Sequence, residues 1–361
     1  MKPWGKSERN FWLVVGLAVY ATVQVLINAG VINAFWLPII ELGAVMAIIS
    51  LGLNLIYGFN GQFSLGQFGF YAIGAYASAD ITWRFADQMK APLELGPFSF
   101  DLGLTAIYLI ALGVGVALSA LSAFLFGLPV LKLGSDYFGI ATLGWTMMIY
   151  VLANNSDTIL GFPEMKGARG MVGIPPLTNW TWVFLFLVLS LLLVRNLLYS
   201  SAGRAILSVR EDETAAKAMG IDVARYKTIS FVIGAALAGL AGGIYAHLYA
   251  FLHPSIFHFI KSFDPMIIVV FGGLGSMTGT VLAAFAWALL LQGAAPAVLP
   301  ADLLEWRYVL YAITLVVVML VRSQGLMGGQ EWGFLKRKAP PLRQAAAVTS
   351  DPGAEVKRGN G

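Results

Sequence analysis

The 361 residues are 58% hydrophobic and only 12% charged, and they include no cysteine. An average soluble domain carries about twice that charge, so this chain lacks the polar groups to cover a water-facing surface and must take lipid as its solvent. The lack of cysteine excludes a disulfide framework, a thiolate metal site and thiol redox chemistry. A net charge of +4 and a pI near 9.2 are better explained by membrane topology than by nucleic acid, which is not an expected partner.

Runs of about 20 apolar residues cross a bilayer as helices, because a helix satisfies its own backbone hydrogen bonds. Lys2, Lys6 and Arg9 precede a full-length run at 11–29 with no small-residue cleavage site after it. The stretch 1–10 therefore reads as a cytoplasmic N-terminus and not as a cleaved signal. Further full spans are expected at 37–57, 61–83, 102–128, 137–153, 182–199, 228–250 and 308–321. The stretch 265–292 is equally apolar but is broken by Gly272, Gly273, Gly275 and Gly279. The fold class is an all-α polytopic membrane protein of about eight to ten transmembrane helices, one of them discontinuous or re-entrant. The transmembrane domain is expected over 11–325, with a basic cytoplasmic tail at 326–361. From Ala339 that tail is rich in proline, alanine and charge, which predicts disorder. Its basic start is expected to be solvated, with contact to anionic lipid as the alternative.

Placing the N-terminus inside and alternating puts 1–10, 58–60, 128–136 and 200–227 in the cytoplasm. The stretches 30–36, 84–101, 154–181 and 251–264 then lie outside. With a cytoplasmic tail, 17 of the 23 lysines and arginines fall inside and six outside, as the positive-inside rule demands. Parity then requires 265–292 to dip in and return to the same side, or to cross twice as short pieces. Irregular backbone at membrane depth is tolerated only where protein or a watery cavity satisfies it.

A second break lies between the second and third spans. Tyr57-Gly58-Phe59-Asn60-Gly61-Gln62-Phe63-Ser64 and Phe271-Gly272-Gly273-Leu274-Gly275-Ser276-Met277-Thr278 both read aromatic–Gly–x–x–Gly–polar–apolar–hydroxyl. Glycine-interrupted segments in corresponding halves point to a central transport site, and the freed N–H groups at a half-helix start favour an anionic group. Asn54, Asn60, Gln62, Ser64 and Gln67 at the first break, with Gly272, Gly275, Ser276 and Thr278 at the second, are the candidate substrate pathway. Close packing through small residues and interhelical hydrogen bonds is the competing explanation.

The longest charged cytoplasmic segment runs from Ser201 to Gly220. Ser208 and Glu211 form an S-x-x-E capping box, acidic Glu211, Asp212 and Glu213 load the first turn, and Gly220 is a fitting terminator. They predict a short helix over 209–219. Ala215, Ala216 and Ala218 leave part of it small and smooth, suited to a cleft on another protein. A plain connector would be far shorter than this loop.

The run Thr214-Ala215-Ala216-Lys217-Ala218-Met219-Gly220 resembles the EAA-type loop of ABC importer permeases, the segment that meets the ATPase subunit. The usual glutamate position is held by Thr214, with Glu213 one residue earlier. Gly52–Gln67, Gly134–Gly144 and Phe271–Gly279 extend the resemblance to the branched-chain amino acid permease family of the LivM type, over about residues 40 to 325. Lys132 and Ser135 stand near the position where that family often carries arginine. The resemblance implies an inner-membrane permease subunit for branched-chain or related amino acids. It implies as partners a second permease chain, two ATPases and a periplasmic or extracellular substrate-binding protein. Ser208, Glu211, Glu213, Thr214, Ala215, Ala216 and Gly220 would then be the ATPase-coupling residues. No G-x-x-x-x-G-K-[ST] phosphate loop occurs in the chain, so no enzymatic activity and no cofactor of its own are expected, ATP and Mg being used by the partner ATPases. Related permeases handle urea and amides.

A self-sufficient secondary transporter is the rival, with Glu41 or Asp80 binding a coupling ion; a channel is weaker, because no charged ring or filter motif is present. Glu41 otherwise reads as an interfacial carboxylate in a first helical turn, and Asp80 with Arg84 as an i,i+4 pair. His247, His253 and His258 share no helical face, so no metal site is expected. The tryptophans of the outer loops read as an interfacial belt, and those loops as the platform for a binding protein.

Overall fold

The computed structural model describes residues 6–88, 92–95, 98–131, 135–159, 161, 165–294, 296, 313, 316, 325–327 and 331–332. Nearly all of the expected span 308–321 and the tail beyond Trp332 lie outside the described residues.

Helix α1 (Lys6–Asn28) is followed by α2 (Trp36–Asn54), which continues into a π-helical turn, Leu55–Phe59. After it come α3 (Gln67–Phe85), the hairpin β1 (Pro92–Leu95) and β2 (Phe98–Asp101), α4 (Leu102–Val130) and α5 (Ser135–Asn154). A two-residue strand β3 (Met171–Val172) precedes α6 (Trp180–Leu198), α7 (Ser201–Glu211), α8 (Glu213–Ala218) and α9 (Val223–Tyr249). Strand β4 (Phe251–Leu252) pairs antiparallel with β3. Helix α10 (Phe263–Gly272) and α11 (Met277–Trp287), which runs on as a π-helical segment Ala288–Ala294, complete the described elements.

Among the described residues, six helical stretches are long and apolar enough to cross a membrane: Trp36–Phe59, Leu102–Val130, Tyr137–Asn154, Trp180–Leu198, Val223–Tyr249 and Met277–Ala294. Those of α2 and α9 are mostly enclosed by protein, whereas α4, α5 and α6 leave most of their length outward. Helix α3 is less apolar and is buried along most of its length. The apolar surface that these helices expose is what lipid covers.

Glycine sets how close the central helices come. A methyl group on Gly74 of α3 would run into the backbone of Gly239 of α9, and one on Gly239 into Ser119 of α4. Gly115 of α4 faces the Gly74 carbonyl, and its Cβ would lie 2.8 Å from that oxygen. Small residues let backbones approach where lipid offers no hydrophobic drive between helices. Ser119 Oγ donates to the Phe70 carbonyl at 3.0 Å, adding a hydrogen bond to the same contact.

Apart from 308–321, which lies almost wholly outside the described residues, the expected spans fall on helices, two of which start five residues earlier, at Lys6 and Val223. The third span starts at Gln67 and not at 61, because residues 61–66 carry no regular structure. Leu65 explains the delay: its N–H donates to Thr142 Oγ1 at 3.0 Å and its carbonyl accepts from Thr146 Oγ1 at 3.0 Å. Two α5 hydroxyls thus take the backbone groups that a helix would have used. The expected Asp80–Arg84 pair is present at 2.9 Å. Glu41, read as interfacial, is 4% exposed and lies within the protein. His247 is buried, with Nε2 2.8 Å from Thr82 Oγ1 and Nδ1 2.7 Å from the Gly243 carbonyl.

Candidate translocation break and coupling segment

The two glycine breaks, more than 200 residues apart in sequence, meet in space. Helix α10 ends at Gly272, the chain turns through Gly273 at φ +110° and Gly275 at φ +79°, and α11 begins at Met277. Positive φ costs glycine little and other residues much. The expected discontinuous element is therefore two helices with a tight turn between them. Gly279 packs on the Gly272 carbonyl so closely that a methyl group has no room. Helix α11 then runs back antiparallel to α2: Gly43 faces Phe285 and Ala288, and Gly293 lies against Trp36.

Asn54 ties the two breaks. Its Nδ2 donates to the Ser276 carbonyl at 3.0 Å and to Thr280 Oγ1 at 2.8 Å, and its Oδ1 accepts from Gly275 N–H at 2.9 Å. Gly58 stands so close to Gly275 N that a Cβ there would lie 2.5 Å away. Ser276 Oγ caps α11 through Gly279 N–H at 3.0 Å. Among the expected pathway residues, Asn54 and Ser276 thus spend their hydrogen bonds inside the protein, and so does Thr278.

The partner of Thr278 was not expected from sequence. The Glu331 carboxylate accepts from Met277 N–H at 2.6 Å, from Thr278 N–H at 3.0 Å and from Thr278 Oγ1 at 2.6 Å. The N-terminus of α11 does attract an anion, as the exposed amides and helix dipole require, but the anion belongs to the chain itself. The same segment covers the end of α10, where Leu326 N–H donates to the Phe271 carbonyl at 2.9 Å and Met327 N–H to Gly272 at 3.3 Å. Gln324-Gly325 and Gly328-Gly329 around it are turn signals in the sequence, and Gly325 has φ +76°.

At the first break Asn60, Gln62, Ser64 and Gln67 are all buried. Asn60 Nδ2 donates to Gln62 Oε1 at 2.8 Å, and Ser64 Oγ accepts from Gly66 N–H at 3.3 Å. Gln67 differs: it is 1% exposed, and neither atom of its amide has a hydrogen-bond partner among the described residues. An unmade bond at a buried amide costs about 1–3 kcal/mol.

The segment 201–220 corrects the sequence reading. There is no single helix over 209–219. Ser208 lies inside α7 and donates to the Ala205 carbonyl at 2.8 Å. The cap is Asp212, extended at φ −157° and ψ 109°, whose carboxylate accepts from Thr214 N–H at 2.8 Å and Ala215 N–H at 2.9 Å. A carboxylate on two orphan amides caps better than a hydroxyl on one, so the break falls at 212 and Glu211 closes α7. Gly220, at φ +80°, follows α8 as expected. Ala216 does not face outward: it is 3% exposed and packs with Val209, Val223 and Ile221. Thr214, Ala215, Lys217, Ala218 and Met219 form the exposed face, with Met219 82% exposed. Glu213 braces α8 on α9 through Lys227 at 2.8 Å and reaches Lys217 at 3.3 Å. The hydrogen bond from Lys227, and then both lysine charges, hold its carboxyl below the usual range.

A residue absent from the expected set joins this segment to the breaks. Arg210 Nη1 donates to the Gly58 carbonyl at 2.9 Å, while Nη2 and Nε are held by Glu211 Oε1 at 2.6 and 3.1 Å. A surface arginine beside a glutamate carries no sequence signal of such a contact.

A family profile described as branched-chain amino acid transport system / permease component matches residues 36–319. The high-affinity branched-chain amino acid transport system permease protein LivM of Salmonella typhimurium is 32% identical over 78% of this chain and 67% of its own length. The Escherichia coli K12 protein of that name is 29% identical over 89% of this chain and 75% of its length. The permease protein LivH of Escherichia coli K12 is 27% identical over 81% and 94%. No solved structure matches the chain. With its multi-pass bundle, the chain belongs to the permease-component family of branched-chain amino acid transport systems and is an inner-membrane protein of the LivM type.

Proposed function

We propose that this chain is the permease subunit of an ATP-driven importer that passes branched-chain or related amino acids across the inner membrane. It works with a second permease chain, two ATPase subunits and an external substrate-binding protein. The observation that carries this reading is the capped helix α8. It is braced on α9 from within by Ala216 and Glu213, and it leaves Thr214, Ala215, Lys217, Ala218 and Met219 exposed among the described residues. A secondary transporter has no use for such a face. The names of the relatives supply the solute class.

In this reading Thr214, Ala215, Ala218 and Met219 meet the ATPase, and Ala216 seats the helix. The solute passes beside the two breaks, where Gln67 offers an unpaired donor and acceptor, with Asn60, Gln62 and Ser64 near it in sequence. Asn54, Gly272, Gly275, Ser276 and Thr278 hold the turn that gives the path its shape.

The test is uptake of radiolabelled leucine, isoleucine and valine by proteoliposomes holding the assembled complex. Uptake that requires ATP and the binding protein is expected, and Ala215→Arg on the exposed face is expected to abolish ATPase association with insertion intact. Uptake driven by a proton gradient without ATP would overturn the reading. A ligand screen on the cognate binding protein separates amino acids from urea or amides.

A further inference from the structure

We propose that Arg210 is a positioning residue that carries movement of the cytoplasmic segment into both glycine breaks, an inference that rests on the importer reading above. The side chain leaves the last turn of α7 and enters the gap between the breaks. Its Nη1 donates to the Gly58 carbonyl at 2.9 Å. That carbonyl stands in the final turn of the π-helical segment, where backbone acceptors lack helical partners. The stem lies over Gly61, so close that a Cβ on Gly61 would sit 3.0 Å from Arg210 Cγ. On the other break, a Cβ on Gly275 would be 3.4 Å from the same Nη1. Glycine at 61 thus leaves the room that the arginine stem fills, and Gly275 lies against its guanidinium.

The other edge of the guanidinium is held by Glu211, so the group is fixed on both sides and not free to swing. Asp212, the single extended residue after Glu211, is the whole connection to α8. Force on the α8 face therefore has a short rigid route: through Asp212 to α7, through Arg210 to Gly58, and through Asn54 to Gly275 and Ser276. Arginine suits this place because a planar fork can hold an acceptor on each edge, which a lysine ammonium does less well.

The assembled complex in proteoliposomes gives the readout, as radiolabelled leucine taken up per ATP hydrolysed. Arg210→Met keeps an unbranched stem over Gly61 but no donor. It is expected to lower leucine per ATP about tenfold, the worth of one charge-assisted hydrogen bond. Arg210→Lys keeps a cationic donor and is expected to recover part of the loss. A merely structural role would lower the yield and melting temperature of the complex and leave leucine per ATP at the wild-type value; that result overturns the proposal. Should Arg210→Met fail to assemble, Arg210→Lys decides alone, a reduced ratio upholding the link and a wild-type ratio refuting it. A wild-type complex that takes up no leucine, isoleucine or valine with ATP is a separate failure, which sinks the importer reading before any variant is compared.

Discussion

Asn54 holds together segments 222 positions apart with one amide, donating twice and accepting once. Truncation in Asn54→Ala leaves Gly275 N–H and Thr280 Oγ1 without that partner at a buried site. Hydrogen bonds between membrane helices average about 0.6 kcal/mol and an unmet buried group costs about 1–3 kcal/mol. A loss of about 2 kcal/mol is therefore expected for Asn54→Ala, read as a lower melting temperature of the purified complex. Thr280→Val removes the hydroxyl that accepts from Asn54 and donates to the Ser276 carbonyl, but it leaves the other two Asn54 bonds in place and should cost less; equal losses would show that the amide does not bridge the breaks. Glu331 acts at the same turn. Replacing its carboxylate in Glu331→Ala frees two backbone amides and the Thr278 hydroxyl. Glu331→Gln keeps an oxygen acceptor and forfeits mainly the charge at the helix N-terminus, worth about 0.3–1 kcal/mol. Amide exchange at Met277 and Thr278 should rise in the order wild type, Gln, Ala, and identical exchange in all three would refute the cap.

Helix contacts made through glycine give a prediction at the scale of elements. Gly74→Ala places a methyl group in the Gly239 backbone and must push α3 from α9, at a cost of about 1–3 kcal/mol by analogy with overpacked cores. Gly113→Ala, on α4 with nothing within 4 Å of its Cβ, should be neutral or slightly stabilising. Thermal denaturation of the two variants in detergent checks the contrast, and equal melting temperatures would show that the glycine contacts do not set the spacing. Spans and the broken stretch were legible in the sequence because apolar length and glycine punctuation are local signals. The start of α3 was not, since Thr142 and Thr146 of a different helix take the Leu65 backbone groups. The cytoplasmic helix was misread for a related reason. Ser208 and Glu211 match a capping box, but Asp212 stands two residues before Thr214 and wins with a stronger acceptor. Ala216 looked like part of a smooth outer face because a run of alanines carries no sign of which one is buried. Arg210 and Glu331 were illegible outright: each acts on a residue far away in sequence, and neither belongs to a periodic pattern.

At the scale of the molecule, geometry and charge make the same demand on topology. Helix α10 starts beyond the β3–β4 pair and α11 with its π-helical continuation ends beside Trp36. Trp36 opens α2 at the end where α9 closes, because Gly52 of α2 packs on Gly234 early in α9 and the two helices run antiparallel. The α10–α11 pair therefore returns the chain to the end it came from. Leu326, Met327 and Glu331 nevertheless sit at the breaks, near the opposite end. The sequence expects a span at 308–321, which lies almost wholly outside the described residues. Reporters that distinguish the two sides of the membrane test this, inserted at Met219, inserted at Gly161, or appended after Gly361. The Met219 and Gly361 reporters are expected on the cytoplasmic side, as the basic loops require, and Gly161 on the other. A Gly361 reporter on the side of Gly161 would mean that the chain makes no net crossing after α11. Such a result would be incompatible with the 2.6 Å hydrogen bond between Glu331 and Thr278 and would overturn that contact.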